Sequence, residues 1–93
     1  MDQPPRTIDE AVERLREQLP ADELAAFAAL AEDDLASCHF GLGLRIRNDF
    51  GLWDKDSPLL HDCLVRHGRP GHFIHPDHAS RMILYTIWAR LRQ

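Results

Sequence analysis

The chain has 93 residues and a mass of 10.7 kDa, which is room for one domain and too little for two, so a two-domain enzyme closed around a cofactor is excluded. Hydrophobic residues make up 44% and charged residues 28%, ordinary globular values that exclude disorder and low complexity. No apolar run approaches the ~18 residues of a membrane span. The opening MDQPPRTIDE lacks the apolar stretch of a signal peptide, so the expected location is the cytoplasm.

The net charge of −4 is unevenly spread. Residues 1–40 hold three Arg against ten acids, and residues 41–93 hold eight Arg and Lys against five acids. An acidic N-terminal half does not track phosphates, and nucleic acid is not an expected partner; it suits either a solvated surface or a basic protein partner. Protonating all six His would carry the net charge from −4 to +2. The two Cys, Cys38 and Cys63, have no zinc-knuckle or redox spacing and read as reduced, apolar core residues.

In chain order, residues 1–6 are expected to be a flexible tail and residues 7–93 a single helical domain. TIDE at 7–10 has the capping-box form, with Thr7 accepting from the Glu10 amide and Glu10 reaching back. Ile8, Ala11, Val12, Leu15 and Leu19 follow at helical spacing until Pro20 stops the helix. A second helix is expected from about Asp22 to Ala31, with Leu24, Phe27, Ala28 and Ala31 on one face. Asp33 or Asp34 is expected to cap a third over 34–49, apolar on two sides: Leu35, Cys38, Leu42 and Ile46 on one, Phe40 and Leu44 on the other. That breadth makes it the predicted central helix. Gly41 and Gly43 each cost ~1 kcal/mol in a helix interior, which implies a close approach by another backbone.

Residues 48–57 read as a connection in which Gly51 ends the helix while Phe50, Leu52 and Trp53 fold back over the core. Ser57 before Pro58 is an N-cap before a first-turn proline, and Leu59, Leu60, Cys63 and Leu64 form a fourth helix ended by Gly68. A loop rich in Gly, Pro and His spans 68–76. Asp77 is expected to cap the last helix, in which Ile83, Leu84, Ile87, Trp88 and Leu91 repeat with the helical period. No alternating run supports a strand, so the predicted fold is all-α: a compact single-domain bundle of about five short helices.

Polar groups inside these apolar stripes carry the chemistry. His39 falls on the Leu35 and Ile46 side and Arg47 continues the Phe40 and Leu44 row. A guanidinium near the core needs an acceptor, either one of the acids Asp49, Asp62 and Asp77 or the C-terminal carbonyls of another helix. Arg47 is then an internal strut or an anion-binding group. His72, His75 and His78 recur every three residues with Asp77 among them, ligand types that suit zinc. Pro76 and a helix start interrupt them, and the glutamate and i, i+4 pairing of HExxH are missing, so no metal and no cofactor is expected. Nucleophilic sets can be drawn from Cys38 or Cys63 with a His, or from Ser80 with His75 and Asp77. No nucleophile elbow, phosphate loop or paired-acid signature accompanies them, which favours a protein that is not an enzyme.

The segments HFGLGLRIRNDFGLW (39–53) and HPDHAS (75–80), followed by ILYTIWARL and preceded by TIDEAVERL, cover about 80 of the 93 residues. Together they resemble a family of small bacterial domains of uncharacterised function with "IRN, then FGLW" and "HPD, then AS" segments. The resemblance implies that the central helix, the Trp53 turn and the start of the last helix form one unit. Arg47, Asn48, Trp53, His75, Asp77 and Ser80 are then expected to meet there, with Asn48 bonding loop backbone and Trp53 covering Arg47 and an acid.

The resulting reading is a non-enzymatic protein-interaction module of the immunity or antitoxin kind, or an accessory subunit. It would bind a basic partner through Asp9, Glu10, Glu13, Glu17, Asp22 and Glu23. The alternative is a small-ligand or metal site built from Arg47 and the His75 to His78 segment.

Overall fold

The computed structural model describes residues 3–67 and 73–93, with the side chains of all but His39 and Phe40 among them. Within those residues the chain is helical and contains no strand. Helices α1 (Ile8–Gln18), α2 (Ala21–Ala28), α3 (Leu44–Asp49), α4 (Pro58–Arg66) and α5 (Pro76–Leu91) are joined by a 3-10 helix at Glu32–Cys38 and a π-helical turn at His39–Gly43. Proline, the cap residues and the apolar periods set most of these limits.

The α1 stripe is buried as its spacing predicts, with Ala11, Val12 and Leu15 fully enclosed. Thr7 Oγ1 accepts from the Glu10 amide at 3.1 Å. The return bond of the capping box goes one residue further back, from the Arg6 amide to Glu10 Oε2 at 2.8 Å. Helix α2 ends at Ala28, so Ala31 lies beyond it and is exposed. At α4, Ser57 Oγ accepts from the Leu60 amide and Pro58 takes the first turn; Leu59, Leu60, Cys63 and Leu64 are all buried.

The expected continuous α-helix over 34–49 is not formed. The segment begins at Glu32, with no acid at 33 or 34 in the capping position, and passes from 3-10 through π to α geometry. Two glycines lower helix propensity at its middle, and a π turn there rotates the faces of the residues after it. The side chains on either side of it therefore do not share the rows expected of a regular helix. Ile46 is buried, but Leu44 is 38% exposed while Arg47 is only 2% exposed. Of the two glycines, Gly41 is open. A Cβ on Gly43 would lie 3.1 Å from the Cys38 carbonyl oxygen and 3.3 Å from Arg47 Nη1. The approach is thus made by a guanidinium and by the segment's own carbonyl, not by a crossing backbone.

The central element is α5, which packs against α1, α2, the 3-10 and π segments, α3 and α4. Its 16 residues carry Ala79, Ser80, Ile83, Leu84 and Ile87 into the core. Its start is capped by His75, whose Nδ1 accepts from the Asp77 amide at 3.0 Å, with Pro76 in the first turn. The cap expected at Asp77 is thus displaced: because the helix begins at Pro76, Asp77 stands inside the first turn. Towards its end, the Trp88 indole and Arg92 donate to the carbonyls of Leu30 and Ala28 beyond and at the end of α2, and the Arg92 guanidinium lies 4.6 Å over the Trp88 ring. A cation and an N–H are placed where a helix C-terminus concentrates negative partial charge. The Cα radius of gyration is 12.6 Å, against ~12 Å expected for a single domain of this length. Among the described residues no helix is long and apolar enough to cross a membrane.

Candidate functional site

Three elements converge on Arg47: α3 carries it, the turn after α3 carries Trp53, and the start of α5 carries Asp77 and Ser80. The turn is tightly specified. Gly51 adopts φ +71, a conformation open to glycine, and the amides of Leu52 and Asp54 bond back to the carbonyls of Arg47 and Gly51. Phe50 and Leu52 are buried by this arrangement. Trp53, expected to fold over the core with them, is instead 55% exposed.

Arg47 Nη1 donates to Ser80 Oγ at 3.0 Å, and Ser80 Oγ in turn donates to the Asp77 carbonyl at 3.0 Å. Arg47 Nε stands 3.4 Å from Asp77 Oδ1. Of the three acids within reach on sequence grounds, Asp77 is therefore the partner; Asp49 pairs with Arg45 and Asp62 with Arg66. The Trp53 ring lies 6.0 Å from the guanidinium carbon, at the outer limit of a cation–π contact. Its indole N–H donates to Asn48 Oδ1 at 2.7 Å, so Asn48 fixes the ring where loop backbone was expected as its partner. His75 joins the same group through Asp77, whose amide donates to His75 Nδ1 at 3.0 Å. Arg47, Asn48, Trp53, His75, Asp77 and Ser80 are thus connected contact by contact, while the side chain of His39 lies outside the described residues.

Among the described residues the set of Ser80, His75 and Asp77 does not assemble as a nucleophile, and Cys63 is not activated as one. Ser80 is 1% exposed and its hydroxyl is engaged by Arg47 and the Asp77 carbonyl. His75 turns its Nδ1 to the Asp77 amide. Burial, with a smaller contribution from the Asp62 charge, pushes the Cys63 thiol up to about 12, far from the thiolate a nucleophile needs. Cys38 and Cys63 are both free thiols. Among the described residues no group of three or more His, Cys, Asp or Glu is placed to hold a metal. His72 lies outside those residues, and His78 meets a different partner, the edge of His67, with ring centroids 4.7 Å apart. Burial holds His78 below its ordinary pKa, and the charges of His67 and Arg81 act in the same direction.

The acids of α1 and α2 divide into two sets. Asp9 bridges Arg90 of α5 and Arg66 of α4, the latter at 2.9 Å, and these two hydrogen bonds hold its carboxyl below the usual range. Asp62 accepts from the Ile8 amide at 2.8 Å, which ties the start of α1 to α4. Neither bridge is legible from local spacing, because each joins residues more than fifty positions apart. The remaining acids of α1 and α2, namely Glu10, Glu13, Glu17, Asp22 and Glu23, are all exposed. Among the described residues the ion pairs draw their acids from Asp9, Asp49, Asp62 and Asp77 and from none of these five.

A family described as a domain of unknown function, DUF6794, matches residues 4–91. The chain belongs to the DUF6794 family. Comparison with curated proteins and with solved structures returned no match. The DUF6794 match takes in both the Arg47 cluster and the acidic face of α1 and α2, so both belong to the domain itself.

Proposed function

We propose that this DUF6794 chain is a non-enzymatic protein-interaction module of a bacterial cytoplasm, of the immunity or antitoxin kind or an accessory subunit. In this reading it docks a basic partner on the exposed acids of α1 and α2. The observation that carries it is the division of the acids. Asp9, itself exposed, is paired with Arg66 and Arg90 of two other helices, whereas Glu10, Glu13, Glu17, Asp22 and Glu23 are exposed and outside every ion pair of the described residues. A field of one sign raises the encounter rate with an oppositely charged surface and disfavours wrong partners. The Arg47 cluster serves the module as a strut: it joins α3, the Trp53 turn and α5 through contacts directed into the domain.

Affinity capture from the native host tests this with two proteins, the wild-type chain and the charge-reversed variant Glu13→Lys/Glu17→Lys/Asp22→Lys. A basic protein should be retained by the wild type alone. It should be released between ~0.1 and ~1 M salt, over which the screening length falls from about 10 to about 3 Å. Identical capture by both proteins, or retention indifferent to salt, refutes the reading.

A further inference from the structure

A cavity of about 270 Å³ lies where the segment before α1 meets the turn after α3, walled by Pro4, Pro5 and Arg6 on one side and by Phe50, Asp54 and Pro58 on the other. Its lining is mainly apolar. The volume falls below the ~300–1,000 Å³ of sites that enclose a cofactor or drug-sized ligand, so it suits a single side chain. Both walls are held in place: Pro5 is buried, the Arg6 amide bonds Glu10, and the turn is pinned by Gly51 and by the backbone bonds of Leu52 and Asp54.

Beside it on α1 runs a shallow groove of about 370 Å³ lined by Asp9, Glu10, Glu13, Arg14 and Glu17. The two depressions are linked by one contact, since Glu10 of the groove accepts from the amide of Arg6 on the cavity wall at 2.8 Å. With Asp9 engaged by Arg66 and Arg90, the groove still presents three glutamates against Arg14.

We propose that this cavity is the anchor pocket of the acidic face. It takes one apolar side chain of a partner segment whose following Arg or Lys residues lie along Glu10, Glu13 and Glu17. The inference rests on the interaction reading above and adds to it the kind of segment recognised. Glu10 to Glu17 spans ~10 Å at 1.5 Å per residue, which an extended segment crosses in about three residues at ~3.3 Å each. The recognised pattern is therefore an apolar anchor followed closely by about three residues rich in positive charge.

Nuclear magnetic resonance titration of the isotope-labelled 93-residue chain with three capped peptides, LGRRK, SGRRK and LGEEE, tests the proposal. LGRRK should shift the amides of Phe50 to Asp54 together with those of Glu10 to Glu17. SGRRK should shift only the α1 amides and bind about tenfold more weakly, the loss expected when much of a leucine side chain stays in water. LGEEE should shift neither, and Glu13→Lys/Glu17→Lys should abolish the α1 response to both basic peptides. Equal binding of LGRRK and SGRRK with no response at Phe50 to Asp54 overturns the anchor pocket and leaves the acidic face standing. Absence of binding by both basic peptides, or shifts confined to another surface, overturns both.

Discussion

Replacing Arg47 by alanine probes the contact that joins three elements of the domain. The guanidinium is 2% exposed, so its hydrogen bond to Ser80 Oγ at 3.0 Å is a charged bond in a buried setting, a class that contributes ~1.5–3 kcal/mol. The pair with Asp77 adds less than its 3.4 Å separation suggests, because the Asp77 side chain is 41% exposed; ~1 kcal/mol is a ceiling for such a solvent-screened pair. Truncation also removes two buried methylenes at ~0.8 kcal/mol each. The expected loss is about 3 to 5 kcal/mol, the range measured when one member of a buried pair is removed. For 93 residues, at ~0.05–0.15 kcal/mol per residue, that ranges from about a fifth of the whole stability to all of it. In urea, with a slope near 1 kcal/mol per molar for so small a domain, the midpoint should fall by about 3 M or the variant should unfold. Arg47→Met keeps the stem and should lose less, and a double-mutant cycle with Ser80→Ala should give a coupling of ~0.5–3 kcal/mol. A loss of 0.5 kcal/mol or less for Arg47→Ala, typical of an exposed surface site, refutes the strut.

The two helical glycines should respond in opposite directions: Gly41→Ala meets open space and should stabilise by up to ~1 kcal/mol. Gly43→Ala meets the Cys38 carbonyl and Arg47 Nη1 and should destabilise by ~1–3 kcal/mol, both read from urea midpoints. Ser57→Ala removes the α4 cap and should cost ~1 kcal/mol, whereas Ser57→Asp should restore most of it in the same melts. Stability should also fall in two steps as pH is lowered. The unfolded chain protonates His78 near its ordinary 6.5 while the folded one resists, so stability declines as pH drops through 6.5; His78→Gln should flatten this step. Asp9 has a lowered folded pKa, so its contribution is complete well above 3.8 and disappears as pH falls through the folded value; Asp9→Asn should remove the second step in urea melts across pH 7.5 to 3.

How much of the fold is legible in the sequence depends on the range of the interactions involved. The caps at Thr7 and Ser57, the proline stops and the buried stripes of α1, α4 and α5 depend on residues within four positions of one another, and periodicity reads them directly. The 34–49 segment escapes that reading because a wheel drawn at 100° per residue assumes one pitch throughout. A π turn at His39–Gly43 changes the pitch, so rows drawn across it do not carry over; within α3 Arg47 is buried as a core cation while Leu44, three residues before it, is 38% exposed. The same turn explains why the most apolar stretch is not the central one: broken into short pieces, it lies against α5, and α5 alone has the unbroken length to touch every neighbour.

Arg47 and its acid show how far a cost argument reaches. That a cation within an apolar segment needs an acceptor follows from desolvation and leaves three candidate acids; only the fold could choose Asp77, thirty positions away on another helix. Asp9 shows the converse. By composition it is one more acid on a charged face, indistinguishable from Glu10 or Glu13, yet Arg66 and Arg90 converge on it from two other helices and make it part of the frame. Function is argued from the acids that remain. A charge that holds helices together contributes little field to a partner, so the surface available for recognition is the set left after the internal pairs have been taken out. Among the acids that this leaves are those of α1 and α2, and the glutamates of α1 lie beside an apolar cavity of side-chain size.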